Sequence, residues 1–302
     1  MNEPEALSSG APPPPKQHRF RIRAELLENT RLAADHHRLV LAAPEIAAVA
    51  QPGQFLHIWC HPPNEIERHP CAAILRRPYS ISRLRPPDGV EILLRVRGTG
   101  GRMLAGKTRG EVIDVIGPLG NGFSLGEGLG TGVIVAGGVG LAPAPFLVER
   151  LVARGARAVL LAGATDDERV PFAVERSPGG GATLPELAAL GAEVSFVTEA
   201  VEGLLVSELL ERRLSEFGDD ATLFAIGPRA MLKRLATIID GRLPLQVSLE
   251  ERMACGLGAC RSCVVPARGA DGEAYRTVCR DGPVFSADQI DWEKLAISAL
   301  PT

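Results

Sequence analysis

The 302-residue sequence predicts a multidomain protein of mixed α+β and α/β class, on three observations. Short apolar segments separated by Pro and Gly fill the first part of the chain. From Val133 onward, apolar segments alternate with amphipathic ones. Near the carboxyl end, four cysteines lie close together, from Cys255 to Cys279. We predict an N-terminal antiparallel β-barrel, a central doubly wound parallel sheet and a small C-terminal domain around the cysteines.

Composition limits the class of function. The chain is 45% hydrophobic and 23% charged, which suffices for substantial cores in two or three domains. A net charge of −3 gives no reason to expect nucleic-acid binding. The apolar run from Val133 to Val148 is interrupted by glycines and prolines, so we expect no membrane span and no membrane partner. We also expect no signal peptide and a cytoplasmic location, where thiols stay reduced.

The first half is expected to contain an arm and a barrel. Residues 1–17 carry the run from Pro12 to Pro15, which is typical of a flexible or polyproline-like arm. Residues 18–124 then form the barrel domain, in which the segment from Gly101 to Lys107 alone resembles a helix. Its strands are predicted at Phe20 to Leu27, His37 to Leu41, Phe55 to Trp59, Tyr79 to Arg83, Val90 to Val96 and Val112 to Ile116.

Two motifs within the barrel favour a flat cofactor that bears phosphate. Arg77-Pro78-Tyr79-Ser80 places a cation, an aromatic ring and a hydroxyl within four residues of one strand. Gly98-Thr99-Gly100-Gly101 precedes the short helix, where backbone amides are able to approach a pyrophosphate. Either motif alone is weak evidence, because a tyrosine often only packs and a glycine run often only forms a turn.

The central domain is predicted at residues 125–243, after turn-rich Gly117 to Phe123 and a glycine-rich hinge. We predict strands at 133–137, 158–162, 193–197, 222–226 and 244–249, and helices near 143–153, 184–189, 204–214 and 229–239. Ligands of such sheets bind at the carboxyl ends of the strands, here at Gly137-Gly138-Val139-Gly140 and Gly227-Pro228-Arg229. No GxGxxG motif occurs, so a nucleotide contact and a plain tight turn are both open.

The C-terminal domain, residues 244–302, carries the most specific signal. Cys255, Cys260 and Cys263 have the spacing C-x4-C-x2-C, and Cys279 follows after a turn-rich excursion from Pro266 to Gly272. Four thiolates in this arrangement hold a [2Fe–2S] cluster in plant-type ferredoxins. Gly256 and Gly258 are able to adopt positive φ and direct amides at the sulfurs. A structural zinc site is the alternative, although zinc modules usually use two short Cys pairs.

Other candidate ligands are set aside. His57 and His61 are four residues apart, but on a strand-like segment that ends at Pro62-Pro63, so we do not expect a metal pair. We expect Cys60 and Cys71 to be packing thiols.

Three motifs together resemble the ferredoxin–NADP reductase superfamily, with its FAD barrel and following pyridine-nucleotide domain. They are Arg77-Pro78-Tyr79-Ser80, Gly137-Gly138-Val139-Gly140 and Gly227-Pro228-Arg229-Ala230-Met231. The segments Met253 to Cys260 and Val278 to Phe285 resemble the electron-transfer subunits of NAD-linked (class 1B) dihydroorotate dehydrogenases. One departure is Ile226, where many superfamily members carry Cys before the Gly-Pro.

The resemblance implies roles for residues at three cofactors. At FAD, Arg77 binds phosphate, Tyr79 lies against the isoalloxazine and Ser80 hydrogen-bonds the ring, while Pro78 shares their motif. Leu94-Arg95-Val96 and the Gly100-Gly101 turn complete that site. Gly137, Gly138, Gly140 and Gly227 shape the nicotinamide pocket, with NAD or NADP left open. The cluster ligands are Cys255, Cys260, Cys263 and Cys279.

The resemblance also implies an oxidoreductase that works as one subunit of a hetero-oligomer, a heterotetramer, in pyrimidine biosynthesis. An FMN-containing catalytic subunit oxidises dihydroorotate, and electrons pass through the cluster and FAD to NAD+. FAD is needed between them because a hydride carries two electrons and the cluster accepts one. Two alternatives are a diaphorase subunit of a hydrogenase or sulfite reductase type of complex, and a zinc-stabilised interaction module without enzymatic activity.

Overall fold

A computed structural model of the chain describes residues 18–33, 35–61, 75–178, 181–269 and 272–295. The predicted arm at residues 1–17 and the thiol of Cys71 lie outside these described residues. The fold combines a closed barrel, an eight-stranded sheet and a two-stranded hairpin. The predicted fold class is therefore confirmed.

The N-terminal barrel closes in the order β1-β2-β5-β4-β3-β6. Its interior is filled by alternate residues, such as Ala24 and Leu26 in the first strand, whereas Arg23 and Glu25 face outward. The strands are β1 (Phe20–Ala33), β2 (His36–Ala42), β3 (Phe55–Ile58), β4 (Arg77–Arg85), β5 (Gly89–Arg95) and β6 (Val112–Leu119), and the helices are α1 (Pro44–Ala47) and α2 (Gly98–Ala105).

The expectation of a single helix in the barrel is wrong, because α1 begins at Pro44, and three other elements differ most from their predicted bounds. Strand β1 continues to Ala33 because its polar second half pairs with β2 in a long hairpin, with Ala33 opposite His36. Strand β6 continues through Gly117, which the sequence assigned to a turn. Gly117 pairs with Phe20, and a Cβ there would lie 2.6 Å from Leu56 Cδ2, so close packing requires this glycine. Helix α2 begins at Gly98 rather than Gly101, so the glycines occupy its first turn.

The central sheet has five parallel strands in the order β13-β12-β7-β8-β11, as the predicted alternation requires. Antiparallel β16 extends one edge, and the short strands β10 and β9 extend the other. The strands are β7 (Thr131–Gly137), β8 (Arg157–Ala164), β9 (Glu175–Arg176), β10 (Ala182–Thr183), β11 (Glu193–Thr198), β12 (Ala221–Ile226), β13 (Leu245–Ser248) and β16 (Val284–Ser286). The helices are α3 (Ala144–Ala153), α4 (Pro185–Ala188), α5 (Val206–Arg213) and α6 (Arg229–Ile239).

Both faces of this sheet are covered. Val133 and Val135 of β7 join the core beneath α5 and α6, and the intervening Ile134 joins the core beneath α3. None of the helices in the described part of the chain is long and apolar enough to cross a membrane.

The segment after the central sheet contains the hairpin β14 (Val264–Gly269) and β15 (Gly272–Thr277), then α7 (Val278–Asp281). The prediction of a turn-rich excursion from Pro266 to Gly272 is wrong, because Pro266 pairs with Tyr275 within a regular ladder. The hairpin packs into the same core as α5 and α6 through Val265, and the residues after the hairpin do so through Val278 and Trp292. The cysteine region and the parallel sheet therefore share one hydrophobic core.

Candidate functional site

The cysteine loop occupies the segment between β13 and β14, which contains no helix or strand. It carries Cys255, Cys260 and Cys263, while Cys279 lies in α7 after the hairpin. Val264 pairs with Thr277, and the Val278 amide donates to the Cys263 carbonyl at 2.9 Å. The hairpin thus returns the chain so that Cys279 lies beside Cys263, although sixteen positions separate them.

Backbone conformation in the loop agrees with the role predicted for its glycines. Gly256 and Gly258 have φ of +70° and +84°, a region that favours glycine. Arg261 also adopts positive φ, at +52°. A Cβ at Gly256 would lie 2.5 Å from Nδ1 of His57, and one at Gly258 would lie 2.8 Å from Cδ of Arg280. Both glycines are thus required by conformation and by close approach.

Backbone amides point at the cysteine sulfurs, as predicted. The amides of Leu257 and Cys260 donate to Cys255 Sγ at 3.3 and 3.5 Å. The Gly258 amide donates to Cys279 Sγ at 3.1 Å, and the Cys279 amide donates to Cys263 Sγ at 3.5 Å. Such donors stabilise negative charge on sulfur, so this loop suits thiolates that bind a metal cluster.

The four thiols differ in environment. Cys263 and Cys279 are buried, whereas Cys260 is exposed and Cys255 is half-buried. Hydrogen bonds from Ser262 and then Cys255 lower the pKa of the Cys260 thiol to about 6. Burial and the neighbouring Cys263 thiol raise the pKa of Cys279 to about 12.

Within the described ranges, no three His, Cys, Asp or Glu side chains converge as ligands of one metal ion. The amide contacts instead link Cys255 with Cys260 and Cys263 with Cys279.

A cleft of about 240 Å³ lies between the barrel, the parallel sheet and the cysteine loop. Pro78, Tyr79, Ser80 and Arg95 from the barrel line it. From the rest of the chain, the lining residues include Val139, Ile226, Glu250 and Met253. An aromatic ring, a hydroxyl and a guanidinium against an apolar wall suit a flat, polar-edged ligand.

Of the barrel residues predicted for the flavin site, Arg77, Gly100 and Gly101 do not line this cleft. Burial raises the pKa of the Tyr79 phenol, and the Arg77 guanidinium donates to the Leu75 carbonyl at 3.0 Å. Gly100 lies in the first turn of α2, where a Cβ would be 3.2 Å from Cys60 Sγ and 3.5 Å from Arg77 Cγ.

Side chains alternate between the two faces of β5, so the residues predicted there for the flavin site point in opposite directions. The side chain of Leu94 is fully buried inside the barrel, whereas its neighbours Leu93 and Arg95 line the cleft. The Val96 amide donates to the Asp35 carbonyl at 2.6 Å, and Gly101 packs against Val96 at the start of α2.

The glycines predicted for the nicotinamide pocket converge where β7 and β12 end. Gly138 has φ of +56°, and a Cβ on Gly140 would lie 2.2 Å from the Ile226 carbonyl oxygen. Gly137 and Gly227 both pack against Met231 of α6. This close approach lets Val139 and Ile226 line one wall of the cleft.

Several cleft residues were missed in the sequence, above all Glu250 and Glu251. They directly follow β13, at the carboxyl edge where ligands of parallel sheets bind, so position alone was an available signal. Desolvation of the carboxyl group raises the pKa of Glu250, although the residue as a whole is exposed. Glu251 forms an ion pair with Arg229, the first residue of α6. The segment leading to the cysteines is thereby tied to the nucleotide sheet.

A barrel with an Arg-Pro-Tyr-Ser strand, a parallel sheet with glycine turns and a four-cysteine loop together define an electron-transfer reductase of the ferredoxin–NADP reductase type. Solved structures agree with this class. The NADH-dependent reduced ferredoxin-NADP oxidoreductase covers 90% of this chain and 91% of its own, at TM-score 0.73 and 25% identity. Phthalate dioxygenase reductase shares the fold at TM-score 0.55 and 17% identity, covering 86% of this chain and 77% of its own.

Residues 250–291 match the family model of the iron-sulfur cluster binding domain of dihydroorotate dehydrogenase B. The chain is 33% identical over 277 residues to the dihydroorotate dehydrogenase B (NAD(+)) electron transfer subunit of Desulforamulus reducens, covering 89% of this chain and 98% of that one. It is 35% identical over 267 residues to the same subunit of Bacillus caldolyticus, covering 86% and 95%. The chain belongs to the family of dihydroorotate dehydrogenase B electron transfer subunits, so the predicted family is confirmed.

Proposed function

We propose that this chain receives electrons from an FMN-containing dihydroorotate dehydrogenase catalytic subunit and delivers them to NAD+. The observation that carries the proposal is the shared cleft. Tyr79 of the barrel, Ile226 of the parallel sheet and Met253, two residues before the first loop cysteine, line the same space. A nucleotide, a flavin and a metal cluster bound by these three parts would lie next to one another. The electron-transfer role in the names of the relatives supports this reading.

The barrel side of the cleft is proposed to hold FAD. When bound, FAD supplies two-electron exchange with nicotinamide and one-electron exchange with an iron–sulfur centre. Arg77 would neutralise phosphate, Tyr79 would cover the ring system and Ser80 would hydrogen-bond its polar edge. The half-buried Tyr79 ring beside an apolar wall fits a flat aromatic ligand. The remaining residues of this proposed site are Pro78, Leu94, Arg95, Val96, Gly100 and Gly101.

Gly137, Gly138, Gly140 and Gly227 are proposed to admit the nicotinamide, because side chains there would fill the space between the two strand ends. The thiolates of Cys255, Cys260, Cys263 and Cys279 are proposed to hold the [2Fe–2S] cluster, with the loop amides stabilising charge on sulfur. We propose the same working units as the sequence indicates, at residues 18–124, 125–243 and 244–302. The free loop thiols suit the reducing cytoplasm, where we propose the protein acts.

The exposed side of the cysteine loop is proposed to dock the catalytic subunit. Leu257 and Val264 are 41% and 40% exposed there, which is unusual for such side chains beside a functional loop. Exposed Arg261 and Arg280 flank them, and neither forms an ion pair within the described residues. An apolar centre with a cationic rim is complementary to an apolar surface with an acidic rim.

Anaerobic purification of the full chain tests the proposal. We expect bound FAD, about two iron atoms per chain and NADH oxidation with an artificial one-electron acceptor. Dihydroorotate-dependent NAD+ reduction should be absent until the catalytic subunit is co-expressed. A colourless protein containing zinc would overturn the proposal, as would orotate formation by the chain alone.

A further inference from the structure

His57 of β3 lies between the cleft and the cysteine loop. It is fully buried, although it faces outward from the barrel, because the side chains of Leu56 and Ile58 fill the barrel interior. Phe55, two residues earlier on the same face, lines the cleft. Pro78, directly opposite His57 in the antiparallel ladder, lines it as well. His57 is therefore paired directly with a residue of the proposed flavin site.

The imidazole of His57 also packs directly against the cysteine loop. A Cβ built on Gly256 would lie 2.5 Å from His57 Nδ1 and 3.0 Å from both Cε1 and Cγ. The ring thus packs against the Gly256 backbone, immediately after the first loop cysteine. A side chain at position 256 would collide with the ring, so the loop is able to lie this close to His57 only with glycine there.

The ring nitrogens of His57 approach the backbone of Cys255 and of Arg76, although neither contact has full hydrogen-bond geometry within the described residues. Buried polar groups are nearly always hydrogen-bonded, so this pair of nitrogens is unusual. The imidazole therefore meets the cysteine loop at its backbone, beside Cys255 and Gly256.

We propose that His57 is a positioning residue, which seats the cysteine loop against strand β3, beside the proposed flavin site, through its ring contact with the loop backbone. The inference rests on the proposed function, because it takes an iron–sulfur cluster in that loop. Loop amides donate to the sulfurs of Cys255 and Cys279, and hydrogen bonds to cluster sulfurs raise the reduction potential, so a displaced loop should lower it.

The first test replaces His57 with Phe, which keeps a planar ring and removes both nitrogens. We expect His57→Phe to retain FAD and iron, to lower the midpoint potential of the cluster and to change the electron paramagnetic resonance spectrum of the reduced protein. The matched control is His61→Phe, since His61 is also buried and unpartnered but packs its ring against Trp59. An unchanged potential in His57→Phe, or an equal fall in His61→Phe, would overturn the proposal.

The second test measures cluster loss to a chelator and stays informative if His57→Phe folds poorly. We expect Gly256→Ala to speed loss about 10- to 100-fold in the natural background. In a His57→Ala background, which removes the colliding ring, the same substitution should cost at least about fivefold less. Gly258→Ala is the control, because its Cβ meets Arg280 instead, and it should cost the same in both backgrounds.

An equal cost of Gly256→Ala in both backgrounds would overturn the role of His57 while leaving the proposed function intact. Absence of iron from the unmodified chain would instead overturn the proposed function, and the role of His57 with it.

Discussion

The strand β4 and the cysteine loop reach the same cleft by different physical means. Strand β4 pairs with β3 at Tyr79 and Ser80 and with β5 from Ile81 onward, so backbone pairing fixes Tyr79 and Ser80. The loop has no such ladder, and its course depends on positive-φ residues and on amide contacts to sulfur. We infer that backbone pairing alone builds the proposed flavin side, whereas the proposed metal side gains order when its thiolates bind a metal.

The barrel strands and the cysteine loop also differ in how deeply their side chains are buried. Ile81 and Ile92, which flank the flavin side in the barrel, are fully inaccessible to solvent. In the loop, Leu257 is 41% exposed and Cys260 is exposed as well. Segments with few buried apolar contacts open at low free energy. Metal binding supplies the missing stability in such sites.

The largest expected effect is loss of one ligand. Cys279→Ser should reduce bound iron to less than about a tenth and remove the cluster signal, because an iron would lose one of its thiolates. FAD content should be unchanged, since β4 does not depend on the loop. Iron content and visible absorption measure both.

The control is Cys60→Ser, which removes another buried thiol but not a loop cysteine. Loss of FAD together with iron in Cys279→Ser would mean that the two sides of the cleft are not independent.

Removal of the iron should separate the two regions in dynamics. After anaerobic chelation, we expect amide exchange in the loop between β13 and β14 to rise at least about tenfold, or about 1.4 kcal/mol in opening free energy. Exchange in β4 and β5 should stay slow. Hydrogen exchange with mass spectrometry resolves these segments, and equal acceleration in both would contradict the comparison.

A substitution on the barrel side should have the reciprocal effect. Tyr79→Ala should weaken FAD binding by about 10- to 100-fold, because a buried aromatic contact is lost, while the iron content stays the same. Fluorescence titration of the flavin-free protein gives the affinity. The chain has one other tyrosine, and Tyr275→Ala is a suitable control because Tyr275 is 69% exposed on the hairpin. Equal losses in the two variants would remove the assignment of Tyr79.

The smallest expected effect concerns Asp114, on the barrel side of the junction. Its carboxylate accepts from Arg21 at 2.8 Å and from Arg76 at 2.5 Å, and the Arg76 guanidinium also donates to the His57 carbonyl at 3.2 Å. Although burial opposes the shift, these two arginines hold the pKa of Asp114 below its ordinary value. Asp114→Asn should lower the free energy of unfolding by about 1.5–3 kcal/mol at neutral pH.

The pH dependence follows from the depressed pKa. The stabilisation by Asp114 is complete above the unfolded pKa, about 3.9, and is lost as pH falls through the lower folded pKa. Urea unfolding at neutral and acidic pH should therefore show the variant and natural proteins converging in acid. Glu193→Gln breaks the exposed Arg157 pair and should cost less than about 1 kcal/mol. A constant difference across pH would contradict the assignment.

The sequence predicted the parallel sheet well because its strands are short apolar runs bounded by glycines and turns. It failed at the hairpin after Cys263, since Pro266 and Gly269 mimic turn residues while pairing within a ladder. The chemistry of the cysteine loop could be predicted from the cysteine spacing, because a metal cluster constrains the spacing of its ligands.

The remaining cleft residues could not be predicted in the same way. Leu93 and Pro171 reach the cleft through strand register and domain packing, which no local pattern encodes. The contact between His57 and Gly256 joins residues about two hundred positions apart, so only the folded chain reveals it.

Strands β13 and β16 enclose the cysteine segment in the chain and pair with each other, with Val247 opposite Phe285. The segment leaves the sheet at the end of β13 and returns to it as the neighbouring strand β16. It therefore has no single tether about which to swing, unlike a module appended by a flexible linker. A displacement of the nucleotide sheet would therefore carry the cysteine segment with it, and the distance from the thiols to the ends of the parallel strands would stay the same.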